Sequence, residues 1–428
     1  MRTSLSKLSI TGIATAALAT ALTAGAAVAE DPISLTVWSD TPRLTYFEAY
    51  DKANEDIDLT VVTVAPADLV AKLQLSMRAG SDIPDVIFMS SIAYGAQLST
   101  RRSNYLMDLT DKVPQPLLDE FYTNANSPCI INDRLLCLRN DLAHMLIWYD
   151  APKMEELGKQ IPTTWEEFEQ LGAELAAMDD DYLLGSAVEP WPLYAFLMAG
   201  GCEMGVPVAG KDDTVHIDLT TENCLRPARM VDAMAANGSL SRFGPFDPNF
   251  VNQAKEGKVP LIVGPTWFGE YVMRPTYEVP EGRLAAALPL KWESQEQPLA
   301  WSWGGGTFGG WKDTEHPEAV VDLIIWSAVD IDNRAIEATL PGHEPSALAW
   351  GKRLRSDEYY ANHQVLDALV DSAAFSHPDY VSQRFSVPDA IGKVVAPELA
   401  NGAKLVDLLP ALQEELINVA RLNGYIVE

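Results

Sequence analysis

An α/β fold built around parallel strands is the class this 428-residue chain predicts, on three observations. Strand and helix patterns alternate from residue 33 to about residue 98, an order that calls for parallel pairing under covering helices. Strand patterns return after residue 140, again separated by helices, so the chain holds a second α/β body over about residues 145–300. The composition, 47% hydrophobic and 21% charged, supplies a large core and lies far from that of a disordered chain.

Ile33–Trp38 alternates apolar and polar residues as a strand does and breaks at Ser39-Asp40-Thr41-Pro42. Leu44, Phe47 and Tyr50 then recur at helical steps. Leu59–Ala65 is a β-branched strand, Pro66 opens a helix that runs through Met77, and Gly80 closes it. Asp85–Met89 is a third strand, followed by Ser90-Ser91 and another helical stretch. Ligands collect beyond the carboxyl ends of such strands, which places the loops Trp38–Asp40 and Ser90–Tyr94 on a candidate site. Leu142–Tyr149 is a nearly apolar strand. Two overlapping capping boxes, Thr163/Glu166 and Thr164/Glu167, start the helix that follows. Helical patterns dominate to about residue 255 with a polar turn at Gly210–Thr214, and Gly257–Gly264 returns to strand. A helix runs from Pro317 through Val329, and another lies near Pro410–Leu422.

Arg2 and Lys7 are the only charges before Glu30, and the uncharged stretch after them ends in Ala27-Val28-Ala29. That is the pattern of a secretory leader, so residues 1–29 are expected to be removed. No cysteine lies near the cut, so a lipid anchor is not expected. With 31 basic against 60 acidic residues the net charge is −29, which disfavours nucleic acid and anionic lipid as partners. Four cysteines suit an oxidising compartment. The sequence-local pairing, Cys129 with Cys137 and Cys202 with Cys224, is the simplest of three, and one pair left as free thiols stays open.

No catalytic motif stands out. Gly304–Gly309 matches the spacing of a dinucleotide fingerprint, but no strand leads into it and no helix starts at its end, so it reads as closely approached backbone. The six histidines show no zinc-ligand spacing. Of the eleven tryptophans, Trp148, Trp165 and Trp326 sit in core patterns. Trp267 and Trp303 lie beside Gly and Pro in loops and read as ligand contacts, while Trp38 and Trp191 fit either role. A flat indole in a cleft stacks on the C–H face of a sugar or on another apolar ligand. Trp267 follows a strand and a Gly-Pro-Thr turn that can throw it into a cleft; Phe268 and Tyr271 beside it offer the alternative of a local aromatic core.

These segments, in this order, resemble the maltose-binding-like solute-binding proteins of ABC importers. The resemblance is carried by Leu35–Trp38, Ala79–Phe88, Met145–Asp150, Ile161–Phe168, Glu256–Trp267 and Gly309–Ala319. It implies two discontinuous α/β lobes joined by hinge strands, residues 30–140 with 305–340 and residues 141–304 with 341–428. It implies ligand contacts from Trp267 and from the stretches holding Ser39, Asp40, Ser90, Ser91, Tyr94, Arg139, Asp141 and His144. With Trp38, Trp191, Trp303 and Gly304, taken from the reading of the residues themselves, these are expected to converge on one cleft. The family usually has a proline where this chain has Arg139-Asn140-Asp141, so the polar contacts are its own. The implied function is periplasmic capture of a sugar, oligosaccharide or polyol by a monomer that delivers it to permease subunits, with no cofactor and no catalysis. An exported carbohydrate-active enzyme, or a binder of glycerol phosphate or a polyamine, is the competing expectation.

Overall fold

The computed structural model describes residues 32–100, 103–178, 180–211, 213–362, 364–375 and 384–428; the expected leader, residues 1–29, lies outside them. The first sheet has the strand order 57–63, 33–39, 86–89, 307–310, 138–139. Its first three strands are parallel, in the register Val37↔Val61 and Val37↔Val86. Strand Thr307–Gly310 enters antiparallel from far along the chain. The second strand begins at Ile57, two residues before the expected start. Gly80 does end the second helix: it sits at φ +69°, which glycine adopts without a Cβ penalty, and its N–H bonds Ser76 O.

The second lobe is built on strands Met145–Asp150, Leu261–Pro265 and Leu284–Ala287, with Met145–Asp150 in the middle and both pairings antiparallel. Four consecutive apolar residues of that central strand, Met145–Trp148, are buried, which explains why its pattern is continuous rather than alternating. Of the two expected capping boxes only Thr164/Glu167 forms; Glu166 instead accepts from Glu293 N. The polar turn expected at Gly210–Thr214 joins two strands rather than helical segments, Glu203–Pro207 pairing with Thr214–Asp218 as a hairpin. Its β-branched residues alternate too briefly to outweigh the helical neighbours in a sequence reading. The last helix starts at Leu405, ahead of Pro410, because Leu405, Leu409, Leu412 and Leu416 bury one face.

The chain crosses between the lobes in three adjacent segments. Leu142 pairs with Leu340, His144 with Ser302, and Asn140 N bonds Gly306 O. Each crossing therefore borrows its backbone partners from the other two, as any buried backbone must. Both disulfides take the sequence-local pairing. Cys129–Cys137 (Cα–Cα 5.0 Å) closes the base of the hairpin Ile130–Ile131/Arg134–Leu135, and Cys202–Cys224 (4.6 Å) ties the segment after helix Pro190–Ala199 to the first turn of helix Glu222–Asn237. Among the described residues no helix is long and apolar enough to cross a membrane.

Candidate functional site

A cleft of about 510 Å³ opens where the lobes meet, within the range of small-molecule sites. The first lobe's wall comes from the carboxyl ends of its parallel strands. Asp40 follows Ile33–Ser39, and Phe88, Ser90 and Ser91 end or follow Val86–Met89. Arg43, three residues after Asp40, donates to it (Nη1–Oδ2 2.7 Å) and lays its guanidinium over the Phe88 ring at 3.9 Å. Burial opposes that charge, but Asp40 and Asp141 outweigh it and hold Arg43 protonated above its ordinary range. Burial also raises the Asp40 carboxyl, with Arg43 pulling the other way. Asp40 Oδ1 is buried and has no hydrogen-bond partner among the described residues, so it is an acceptor left over at the cleft.

Asp141 forms the floor. Its Oδ1 accepts from Gly306 N (2.8 Å) and Asn140 Nδ2 (2.6 Å) and lies 3.5 Å from Arg43 Nη2. Gly306 is needed here for close approach: a Cβ would come within 2.2 Å of Phe88 and 2.8 Å of Asp141 Oδ1. Beneath the floor, Arg334 pairs with Glu337 at 2.9 Å and also donates to Asn140 Oδ1, and Tyr46 donates its hydroxyl to Glu337. Three buried guanidiniums, Arg43, Arg139 and Arg334, are faced by the buried Asp141 and Glu337 and by the partly exposed Asp40, so opposite charges are paired, the condition under which such groups are tolerated.

The second lobe supplies the aromatic wall. Trp191 stands in the first turn of Pro190–Ala199, while Trp267 follows strand Leu261–Pro265, with Tyr271 one helical turn on. Trp267 Nε1 donates to Trp303 O at 3.0 Å, and the two indoles meet edge to face at 5.4 Å. Trp303 N in turn bonds Ala143 O in the hinge, and Thr266 Oγ1 bonds Leu142 O. The platform is thus anchored to the lobe junction. Burial pushes the Tyr271 hydroxyl up to about 12, with Arg43 opposing and Glu337, Asp141 and Asp40 adding to it. It stays a neutral donor facing the carboxylates across the cleft. Ser386 and Asp389, at the start of helix Val387–Val394, complete this side. No group of three or more potential metal ligands occurs among the described residues.

Nine of the expected residues, Asp40, Ser90, Ser91, Tyr94, Asp141, Trp191, Trp267, Trp303 and Gly304, line this one cleft. Four do not. Trp38 and Ser39 are 3% and 2% exposed, packed below the wall, with the Lys72 ammonium 4.8 Å from the Trp38 ring. Arg139 is fully buried and spends its Nε–H on the Asp141 carbonyl. His144 is fully buried between hinge strands, and burial, with Arg139 nearby, drives its pKa down to about 3. Trp38 and Ser39 point to opposite, equally covered faces of one strand, and Arg139 and His144 sit among the crossing segments, burial that a loop-end argument does not foresee. Phe268 is core, as its alternative reading allowed, but Tyr271 is not. The reading missed Arg43, Phe88, Tyr271, Gly306, Thr339, Ser386 and Asp389. Arg43 at three residues from Asp40 and Tyr271 at four from Trp267 had a local signal. Ser386 and Asp389 had none, because only the fold brings the C-terminal helices to the cleft.

Two lobes, three crossing segments and an aromatic-and-carboxylate cleft at their junction define a clamp-type ligand-binding protein. The chain belongs to the family of bacterial extracellular solute-binding proteins, whose model matches residues 42–330. Similar solved structures include the galacto-N-biose-/lacto-N-biose I-binding protein of an ABC transporter from Bifidobacterium longum, in complex with lacto-N-biose. Its TM-score is 0.76 at 15% identity, over 93% of this chain and 100% of that one. An ABC transporter-associated binding protein from B. animalis subsp. lactis Bl-04, in complex with β-1,6-galactobiose, gives 0.77 at 16% identity over the same shares. A curated relative, the multiple sugar-binding protein of Streptococcus mutans, is 24% identical over 147 residues. That match spans 34% of this chain and 33% of the relative's length.

Proposed function

We propose that this protein captures a saccharide in the interlobe cleft and delivers it to the permease of an ABC importer. The observation that carries the reading is the pairing of opposite walls. Indole and phenol faces from one lobe stand across from Asp40, Asp141 and Arg43 on the other lobe and at the junction. A sugar ring has both surfaces that such a cleft complements: apolar C–H faces for the rings, and hydroxyls for charge-assisted hydrogen bonds. Neither wall alone holds both, so ligand favours the state in which the lobes approach. The sugar-binding descriptions of the similar structures and of the curated relative agree with this reading.

The lobe boundaries that go with it are residues 30–140 with 305–340 and residues 141–304 with 341–428. The expected leader and the family's extracellular character support a periplasmic location, and the proposal includes action as a monomer that returns its ligand unchanged. A thermal-shift screen of mono- and oligosaccharides, polyols and polyamines tests the proposal. A ligand at 100 times its Kd stabilises by about 2.7 kcal/mol. Chromatography of the recovered sugar separates binder from enzyme. A polyamine hit with no saccharide hit, or a cleaved glycoside, would overturn it.

A further inference from the structure

Neither Glu270 nor Arg353 lines the cleft, yet both are tied to its aromatic wall from behind. Tyr271 belongs to a π-wound turn, Gly269–Met273, in which Arg274 N bonds Gly269 O five residues back. Such turns are rare and collect at functional sites. Glycine is required at its start, since a Cβ on Gly269 would come within 2.6 Å of the Trp148 ring. Glu270, next to Tyr271, gives both carboxylate oxygens to groups outside the cleft. Its Oε1 accepts from Tyr360 at 2.6 Å and its Oε2 from Arg353 Nη1 at 2.9 Å. Arg353 spends the rest of its fork on main chain, donating from Nε to Ala335 O at 3.0 Å and from Nη2 to Glu337 O at 2.8 Å. Those carbonyls lie in the stretch that leads into the crossing strand Leu340–Pro341. The Glu337 side chain in turn accepts from Tyr46 on the first-lobe helix Leu44–Ala53 and pairs with Arg334 under the floor. A surface ion pair would count for little. Here the carboxylate is 15% and the guanidinium 30% exposed, and a planar fork serves three acceptors at once, as an ammonium cannot.

We infer that Arg353 is a positioning residue, which through Glu270 fixes the turn carrying Tyr271 to the hinge and so sets the aromatic wall against the floor before ligand arrives. The inference rests on the clamp reading above and adds to it a part that touches no ligand. A wall cut loose from the hinge still folds, but ligand must then order it, at a cost in affinity.

The test compares wild type with Arg353→Gln, Arg353→Lys, Glu270→Ala, the double variant Glu270→Ala/Arg353→Gln, and the control Arg355→Gln, whose pair with Asp367 is exposed. Hydrogen exchange is followed in the ligand-free protein, and affinity by calorimetric titration with β-1,6-galactobiose and maltotriose. In Arg353→Gln, exchange should quicken about tenfold in both residues 267–274 and residues 331–340, with helix 344–355 unchanged. Arg353→Lys keeps the charge but not the fork and should follow it. Glu270→Ala should quicken residues 331–340, which Glu270 does not contact through any hydrogen bond of its own; a merely local packing role does not move that readout. Affinity should fall about tenfold in Arg353→Gln, and the double variant should be no worse. Arg355→Gln should match wild type in both measurements. Quickening confined to helix 344–355, additive losses in the double variant, or native affinity in Arg353→Gln overturns the inference. Should Arg353→Gln fail to fold, the exchange pattern of Glu270→Ala decides alone. If wild type binds neither sugar, the saccharide reading has failed, while the exchange pattern still upholds or overturns the tie to the hinge.

Discussion

Replacing Trp267 by alanine perturbs two things at once, and the structure lets each be sized. The indole is half-buried: one part faces the cleft, and the rest packs on Phe268 at 5.1 Å and Trp303 at 5.4 Å. Its N–H is tied to Trp303 O. Loss of a stacking face for ligand should cost about 1.4–2.8 kcal/mol, a 10- to 100-fold weaker Kd. Loss of the hydrogen bond, about 1 kcal/mol, and of two aromatic contacts, about 0.5–1.5 kcal/mol each, should destabilise the fold by about 2–4 kcal/mol. For a lobe of this size that is a fall in melting temperature of roughly 5–15 °C. The sequence left Trp267 between a cleft contact and a local aromatic core; its tie to Trp303 and packing on Phe268 give it both roles. Calorimetric titration and a melt of the same preparation give both quantities. Trp267→Phe keeps an aromatic face and drops only the N–H, so it should retain most of the affinity. Folded Trp267→Ala with native affinity would refute the stacking role, because the mutant removes the face whatever it does to the core.

Three further outcomes follow from the floor and the hinge. Asp141→Ala leaves Gly306 N, the Asn140 amide and one side of Arg43 without their acceptor, so chemical denaturation should show a loss of about 3–5 kcal/mol; a loss under 1 kcal/mol would mean the network is not formed. Gly306→Ala drives a methyl into the Phe88 ring and should cost about 1–3 kcal/mol while weakening ligand binding, since Phe88 supports Arg43; a neutral melt would contradict the close approach. His144 has a depressed pKa of about 3 in the folded protein, against 6.5 ordinarily. The unfolded chain therefore takes up its proton first, and stability is full above pH 6.5 and falls as pH drops toward 3, by up to about 1.4 kcal/mol per pH unit. His144→Gln should show a shallower acid limb in denaturation curves at pH 7, 5 and 4, and an identical limb would place the ring in solvent instead.

The sequence by itself determined the local elements, the pairing-competent cysteines and half of the cleft. The run Ile33–Met89 could only be parallel, because each strand is followed by a helix long enough to cross back over the sheet. Pro317 and Gly80 mark a helix start and a helix end through backbone chemistry that needs no neighbour. Trp191, Trp267 and Trp303 were legible because apolar rings beside Gly and Pro have no helix face to fill. Tertiary structure alone decided which way each side chain points and what arrives from a distance. Trp38 and Asp40 are two residues apart, yet one is core and the other is cleft, because the strand ends at Ser39 and Asp40 leads into the short helical turn Thr41–Arg43, where it pairs with Arg43. The same holds for Arg139 and Asp141, where the crossing of three chain segments, not either residue's type, buries the guanidinium and leaves the carboxylate as floor. Strand Thr307–Gly310 and helix Val387–Val394 reach the site across hundreds of residues. Such contacts depend on loop closure and on complementary surfaces that no local pattern encodes.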